Sequence, residues 1–153
     1  MYNDILDAIT RRLNELFGDG CEIYTDPVKQ GLRAPCFFVQ FLEPTEKPMI
    51  GQRYFRETAV AIQYFPQEMP QTLREMNRVA EILMDGMEYI ALADGSLLRG
   101  TGRSALPDPE ERVLTFMVSY NMFIVKQKER ETAMETIDVN ETINEKKGKV
   151  EEC

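Results

Sequence analysis

The sequence predicts an α+β domain with a mainly antiparallel β-sheet, two α-helices packed on one face of that sheet, and a flexible acidic C-terminal tail. Two segments carry apolar residues at helical spacing, and several others alternate apolar with polar residues as half-buried strands do. Their order (helix, strands, helix, strands) is typical of the α+β class. With 153 residues the chain fits one folded domain, which we place at residues 1–126, followed by a tail at 127–153.

The two predicted helices span residues 3–17 and 70–87. Asn3 is a candidate N-cap of the first helix, and Gly18 stands where that helix is expected to end. Pro70 is compatible with the start of the second helix, because proline lacks an N–H that would be unpaired there anyway. The stripes that we expect to face the core are Ile5, Ile9, Leu13 and Leu16 in the first helix, and Leu73, Met76, Ala80, Leu83 and Met87 in the second.

The predicted strands are residues 22–25, 36–42, 53–65 and 113–125, with a hairpin at 89–99. The last strand is the clearest, because its even positions from Leu114 to Ile124 are all apolar. The pair Asp94-Gly95 predicts the turn of the hairpin, with positive φ at both residues. Glycines and prolines predict surface connections at 28–35, 43–52 and 100–109.

The tail differs in composition from the rest of the chain. Of its 27 residues 13 are charged, eight acidic and five basic, and none is aromatic. Such a composition predicts a mobile or conditionally ordered segment. The alternation Thr136-Ile137-Asp138-Val139-Asn140 could add as a strand to a neighbouring sheet edge, and simple disorder is the alternative.

The composition excludes several kinds of chemistry. The chain has no histidine, so a Ser-His-Asp or Cys-His site is impossible and the commonest zinc ligand is missing. A net charge of −8 opposes tight binding to a nucleic-acid backbone. Cys21, Cys36 and Cys153 are far apart, and we expect free thiols, the first two as small buried hydrophobes rather than redox or metal sites.

Targeting and membrane signals are also missing from the sequence. No run approaches the roughly 20 apolar residues of a membrane span. No apolar signal-peptide core follows the polar N-terminus, so we expect a protein that stays in a cytoplasm and does not bind membranes.

The remaining motifs do not predict a catalytic site. The glycine-rich stretch at 95–104 lacks the Gly-Lys-Ser/Thr ending of a phosphate loop, and a hairpin followed by a loop explains it better. The acidic run Asp108, Glu110 and Glu111 is typical of a solvated surface, the alternative being a carboxylate pair or a cation site. We therefore expect a protein that is not an enzyme and uses no metal or cofactor.

One loop predicts a contact surface. Met49 and Ile50 lie among polar residues of the connection at 43–52, and exposed apolar side chains on a long loop favour contact with a partner, unless they fold back over the core. The candidate oligomer or tube interface comprises Glu43, Glu46, Lys47, Met49, Ile50, Arg53, Arg99 and Arg103.

Several short segments occur in an order that resembles a known family. They are MYNDILDAI at 1–9, Ile23-Tyr24, QGLRAPCFFV at 30–39, Gly51-x-Arg53-Tyr54 and Tyr64-Phe65-Pro66. Together they resemble small phage and prophage proteins described as tail terminators, and the likeness covers roughly residues 1–126. None of these segments is a catalytic signature.

The resemblance implies a role in assembly. Terminator subunits form a ring, commonly a hexamer, on the last ring of the tail tube, where the ring ends polymerisation and provides the joint to the neck or head. The implied partners are copies of the same chain, the tail tube protein, the sheath of contractile particles and neck or connector proteins, with DNA only as passing cargo. The implied location is the tail end near the neck of a virion or phage-like particle, assembled in the bacterial host cytoplasm.

Two alternatives stay open at this point. A neck or head-completion connector subunit would have similar features, and particles lacking it would have tails of normal length without heads. A small-ligand-binding regulatory domain is the alternative from a different class, and it would be a monomer stabilised by a metabolite.

Overall fold

The computed structural model describes residues 2–27 and 31–127. The chain divides into two units, of which the first is described at 2–27, 31–49 and 53–124 and the second at 50–52 and 125–127. Within the second unit, the N–H of Lys126 donates to the carbonyl of Gln52 at 2.9 Å. The predicted domain boundary at 126/127 stays a prediction. The predicted tail lies outside the described residues from residue 128 onwards, and with it the possible strand at 136–140 and Cys153.

Two helices and seven strands make up the described part of the chain, and the predicted α+β class is confirmed. The helices are α1 (Tyr2–Phe17), followed by a short 3₁₀ turn at Gly18–Gly20, and α2 (Thr72–Gly86). The strands are β1 (Glu22–Tyr24), β2 (Cys36–Phe41), β3 (Thr45–Pro48), β4 (Arg53–Phe65), β5 (Tyr89–Ala91), β6 (Leu97–Asp108) and β7 (Val113–Val125).

The strands form one sheet in the order β1-β2-β4-β7-β6-β5, and β3 also pairs with β4. Strand β1 is parallel to β2, whereas β2 and β3 run antiparallel to β4, as do β5 and β7 to β6. The ladder between β6 and β7 has an irregularity between Thr101 and Ser104. The sheet is therefore mainly antiparallel, as predicted.

Both helices cover the same face of the sheet, because their apolar stripes and one set of strand side chains form a single buried cluster. Strand side chains alternate between faces, so one parity of each long strand points to the helices. The largest fully buried members are Ile5, Ile9, Leu13, Phe37, Ile62, Met76, Leu83, Met87, Ile90, Leu114, Phe116 and Tyr120.

Both helices differ in detail from the prediction. Asn3 lies inside α1 rather than at its N-cap, because the helix already includes Tyr2, whose ring packs 5.9 Å from the ring of Phe41. In α2, Leu73 is 46% exposed, whereas Val79 is fully buried. The buried stripe of α2 therefore runs through Val79 and excludes the first helical turn.

Hydrogen bonds from two tyrosines of the sheet anchor α2 and its end. The hydroxyl of Tyr64 donates to Glu75 at 2.8 Å, and Arg78 donates to the same carboxylate at 2.8 and 2.9 Å. Arg78 lowers the pKa of Glu75, and burial together with the bond to Glu75 raises the pKa of Tyr64. The buried hydroxyl of Tyr120 donates to the carbonyl of Met87 at 2.7 Å.

Two predicted loops are strands, and these predictions were wrong. The connection at 43–52 contains β3, which pairs with β4 from Thr45 opposite Glu57 to Pro48 opposite Tyr54. The stretch at 100–109 continues β6 as far as Asp108. Pro107 is compatible with that strand because β5 covers only Leu97–Arg99, so this side of β6 has no strand partner among the described residues.

The predicted hairpin is confirmed, but its turn type is different. Only Gly95 has positive φ, at +90°, and its N–H donates to the carbonyl of Leu92 at 2.9 Å. The carboxylate of Asp94 accepts the N–H and the hydroxyl of Ser96 at 2.9 and 2.6 Å. The connection is thus a three-residue loop that ends in a left-handed glycine.

The two described cysteines are free thiols. Cys36 is buried as predicted, whereas Cys21 is only half-buried. Burial raises the pKa of both thiols, which makes them poor nucleophiles near neutral pH.

Candidate assembly surfaces

The candidate interface residues predicted from the sequence fall into two groups. Glu43, Glu46, Lys47, Met49 and Arg53 lie in or beside the β3–β4 hairpin, and Arg99 and Arg103 lie on β6. Ile50 belongs to the second unit, and its side chain is 94% exposed.

In the hairpin group, Glu46 has a structural contact. Its carboxylate accepts two hydrogen bonds from the buried Arg56, whose guanidinium lies 4.9 Å from the ring of Tyr2. Glu43 and Lys47 are exposed to solvent. Charge-based contact with a partner is therefore easier at Glu43 and Lys47 than at Glu46.

Arg53 is part of an exposed aromatic cluster that the sequence did not predict. Its guanidinium lies 5.2 Å from the ring centre of Phe123, and the rings of Phe123 and Phe55 are 5.0 Å apart. Phe123 is 56% exposed, and Met49, whose N–H donates to the carbonyl of Arg53 at 2.8 Å, is 47% exposed. We call Arg53, Phe55 and Phe123 the aromatic patch.

The aromatic patch lies on the face of the sheet that the helices leave uncovered. This helix-free face also carries Met117, 40% exposed, and Leu106, 71% exposed, at neighbouring positions of β7 and β6. The only signal in the sequence was that Met117 and Phe123 are apolar although they lie at the odd positions of β7, opposite in direction to the apolar even positions that predict the buried face. Exposed apolar side chains beside an open strand edge are typical of surfaces that contact another protein.

A second candidate surface is a cleft between α1 and the β5–β6 hairpin, with a volume of about 260 Å³. We call it the arginine cleft; it is lined by Ala8, Arg11, Arg12, Glu15, Tyr89, Ala91 and Leu97. Arg11 donates to the carbonyl of Ala91 at 3.0 Å, and Arg12 donates to the carbonyl of Gly86 at 2.8 Å and to Glu15 at 3.1 Å. Two side chains of this cleft are well exposed, Tyr89 at 49% and Leu97 at 64%.

The β6 arginines extend the positive charge of this region. Arg99 and Arg103 share Glu88, at 3.1 and 3.8 Å, and the Arg99 guanidinium lies 5.9 Å from the ring of Tyr89. Arg99 and Leu97 point to the same side of β6 because strand side chains alternate. The sequence predicted these two arginines as contact residues but did not predict that α1 contributes two more.

No site for metal chemistry appears in the part of the chain that the structure describes. No group of three or more metal-ligating side chains lies together within 2–27 and 31–127. The carboxylate of Asp108 accepts the N–H groups of Glu110 and Glu111 at 3.1 and 3.2 Å, which organises the turn between β6 and β7. None of the described helices is long and apolar enough to cross a membrane.

Exposed strand edges and an apolar sheet face are typical of proteins that contact other proteins. Residues 4–132 match the family described as phage tail terminator protein. The chain belongs to this family. The resemblance seen in the sequence is thereby confirmed.

Comparison with solved structures gives a remote likeness. The sheath/tube terminator of the extracellular contractile injection system PVC, determined by cryo-EM in its extended state, matches with a TM-score of 0.49 and 13% sequence identity. The match covers 98% of this chain and 65% of that one, so this chain spans less than two thirds of the length of that neighbour. No curated protein sequence matches the chain.

Proposed function

We propose that copies of this chain form a closed ring, most simply a hexamer, on the last ring of a tail tube. The ring ends polymerisation of the tube and provides the joint to the neck or head. The observation that carries this proposal is the family match over residues 4–132. The subunit acts without catalysis, and the particle is assembled in the host cytoplasm.

The positions of the exposed surfaces support a head-to-tail ring. Such a ring requires two different patches on each subunit, because each copy contacts its neighbours through dissimilar surfaces. The aromatic patch on the helix-free face and the arginine cleft beside α1 are two such patches. We assign the eight candidate residues predicted from the sequence to contacts with neighbouring copies or with the tube protein, and we add Phe123 and Leu106 to them.

The ligand-binding alternative has less support. The arginine cleft, at about 260 Å³, and an apolar cleft of about 160 Å³ beside Tyr24 and Phe38 are both smaller than the roughly 300–1,000 Å³ of typical small-molecule sites. A third depression, of about 490 Å³, is large enough, but Arg74, Asn77, Arg78 and Glu81 of α2 line it, whereas small-molecule sites are lined mainly by apolar side chains. Sheath and neck proteins are the further proposed partners, and DNA passes through the ring without specific binding because the chain is acidic.

Deletion of the gene tests the proposal directly. Particles produced without this chain should have tails longer than normal in negative-stain images, and expression of the wild-type chain from a plasmid should restore the length. Tails of normal length that lack heads would instead assign the chain to the neck. Unaltered particles would contradict both roles.

Charge reversal tests the interface. We expect Arg53→Glu and Arg99→Glu to prevent ring formation without unfolding the subunit, since both side chains are exposed. Arg74→Glu, at an exposed position of α2, is the matched control and should assemble normally. Normal rings from both test variants would show that these arginines are outside the interface.

A further inference from the structure

The second half of β6 is an open edge of the sheet. Gly100 donates its N–H to the carbonyl of the residue before β5 at 2.6 Å, away from β7. Main-chain groups alternate in direction along a strand, so the next residue faces β7, and so does Ser104, which pairs two residues further along β7. Ala105 therefore directs its N–H and carbonyl outward, and Pro107, which has no N–H, directs only its carbonyl outward. No described strand pairs with this edge beyond Arg99.

One flank of α2 carries apolar side chains on the same side of the molecule. Leu73, Ala80 and Met84 share this flank because they follow each other at helical spacing. Leu73 is 46% exposed, and the other two are half-buried. The opposite flank carries Glu75, which accepts a hydrogen bond from Tyr64 of β4. The apolar flank therefore faces away from β4, toward the open edge of β6.

Helix α2 runs alongside the open half of β6. At its end, the carbonyl of Met87 accepts the hydroxyl of Tyr120 on β7 and lies against Gly100 of β6, so the helix ends above the space between these two strands. Before its start, Glu68 forms an ion pair at 3.4 Å with Arg112, in the turn that follows β6. Both ends of the helix are thus placed beside the two ends of the open edge.

The open edge and the apolar flank have a common centre. Counted from the contact of Met87 with Gly100, Asn77 and Ala105 both lie about 13–15 Å away, at rises of about 1.5 Å per helical residue and about 3.3 Å per strand residue. One two-fold axis at Ala105 can therefore pass close to both. Helices that lie half a strand spacing inside paired edge strands are about 10 Å apart, which is a normal packing distance for two helices.

We propose that two copies of this chain associate about such an axis, with their β6 edges paired antiparallel and the apolar flanks of α2 in contact. Ala105 of each copy exchanges two hydrogen bonds with Ala105 of the other. Leu106, which is 71% exposed in the single chain, lies diagonally across from Leu106 of the second copy. The dimer closes an edge that is otherwise open to any extended chain. This inference goes beyond the proposed function and does not rest on it.

The charges of α2 are complementary in this dimer. Arg74 and Glu81 are exposed beside the apolar flank and form no ion pair within the part of the chain that the structure describes. Two antiparallel helices that cross beside Arg78 place Arg74 of each copy opposite Glu81 of the other. Arg78 itself binds Glu75 of its own chain, and Asp85 extends past the first turn of the opposite helix. The contact is therefore attractive between identical surfaces, as an isologous dimer requires.

The ends of the paired strands are oppositely charged as well. Arg103 of one copy lies near Asp108 of the other, because the antiparallel pairing reverses the direction of β6. Within its own chain, Arg103 lies 3.8 Å from Glu88, and Asp108 accepts main-chain N–H groups of the following turn. The pairing therefore brings no two copies of the same charged side chain together at the edge.

Sedimentation velocity of the full-length chain measures the association. We expect monomers at about 1 µM and dimers at about 100 µM, the range of a small interface. Ala105→Pro removes the outward N–H without removing a hydrogen bond to β7, because proline is tolerated on an edge strand. This variant should weaken dimerisation at least about tenfold, since two hydrogen bonds are lost from each dimer. Circular dichroism verifies that it is folded.

A charge exchange on α2 tests the arrangement without changing the strand. Arg74→Glu and Glu81→Arg should each weaken the dimer about tenfold, because each turns two attractive contacts into two repulsive ones. The double variant should restore the affinity of the wild type, because the charges are then merely exchanged between the copies. Arg33→Glu, an exposed position outside β6 and α2, is the matched control and should dimerise normally.

Several outcomes would overturn the inference. They are monomers at every concentration, larger oligomers without a dimer, a dimer that Ala105→Pro and both charge variants leave unchanged, and a double variant that stays as weak as the single ones. Arg74→Glu is also the variant expected to form normal rings. Loss of the dimer with intact rings would therefore separate this association from the proposed terminator function, which the tail lengths of the deletion test independently.

Discussion

The two faces of the central sheet use the same strands but have different side chains. On β7, Phe116 is fully buried under the helices, whereas Phe123, seven residues later on the opposite face, is 56% exposed. The covered face is closed by both helices into one cluster. The helix-free face leaves apolar side chains in solvent. The difference indicates that one face stabilises the fold and the other is available for contacts with other proteins.

Phe116→Ala should have the largest effect on the covered face. Truncation removes a fully buried ring from the core and leaves a cavity, which costs about 3–5 kcal/mol. Urea denaturation followed by circular dichroism measures the loss in free energy of unfolding. A loss below about 1 kcal/mol would mean that the core can collapse around the site. The two faces of the sheet would then differ less in their contribution to stability than the burial of their side chains indicates.

The sequence predicted the covered face better than the helix-free one. Strands β4 and β7 were predicted with their observed bounds, because apolar residues at every second position indicate which side chains of a strand are buried. Strand β3 was missed because its residues are polar and include a proline. It is a strand because it pairs with the first half of β4, and its own sequence does not show that pairing. Leu73 was assigned to the core because its spacing from the other apolar residues of α2 fits the buried stripe. Such spacing does not show that the first turn of the helix extends beyond the sheet that the rest of the helix covers.

The assembly surfaces were only partly predictable. Arg53 and Arg99 were predicted as contact residues because they lie at strand ends near loops, but the ring that Arg53 contacts, Phe123, is 70 residues away in the chain. Arg11 lies 80 residues before Ala91, which accepts its hydrogen bond. Such convergence depends on the order of strands in the sheet and on the placement of α1, and local sequence patterns carry no information about either.

Gly100→Ala should have the next largest effect, because Met87, the C-cap residue of α2, packs against β6 at this residue. An added Cβ would lie 2.6 Å from Val118 Cγ2 and 2.8 Å from the backbone carbonyl oxygen of Met87, which cannot rotate away. We expect a loss of about 1–3 kcal/mol in thermal or urea unfolding. Gly20→Ala, where the added atom meets nothing within 4 Å, is the control and should change stability by less than about 0.5 kcal/mol.

Glu75→Gln tests the polar connection between α2 and β4. The folded-state pKa of Glu75 is lowered, so its ionised form stabilises the protein above the usual glutamate pKa of about 4.3. This contribution is lost as the pH falls through the lowered pKa. The variant should therefore be less stable than the wild type by about 1 kcal/mol at pH 7, and the difference should be smaller at about pH 3, below the usual glutamate pKa.

The matched control for this pH profile is Glu81→Gln, an exposed glutamate on the same helix. Its stability should follow that of the wild type at both pH values. A difference for Glu75→Gln that persists unchanged at pH 3 would show that the loss comes from packing of the amide rather than from the charge that Tyr64 and Arg78 stabilise.

Phe123→Ala should have the smallest effect on stability and is the sharpest test of the comparison between faces. The exposed ring contacts Phe55 and Arg53 only at the surface, so its removal should cost less than about 1 kcal/mol in urea denaturation. The same change removes the centre of the aromatic patch, and complemented particles should therefore have the overlong tails of the deletion. Phe116→Ala and Phe123→Ala then separate folding from assembly on a single strand.

The opposite outcome would contradict the comparison between the two faces. If Phe123→Ala destabilised the subunit as much as Phe116→Ala while tails kept their normal length, the helix-free face would contribute to the core of the subunit rather than to its contacts.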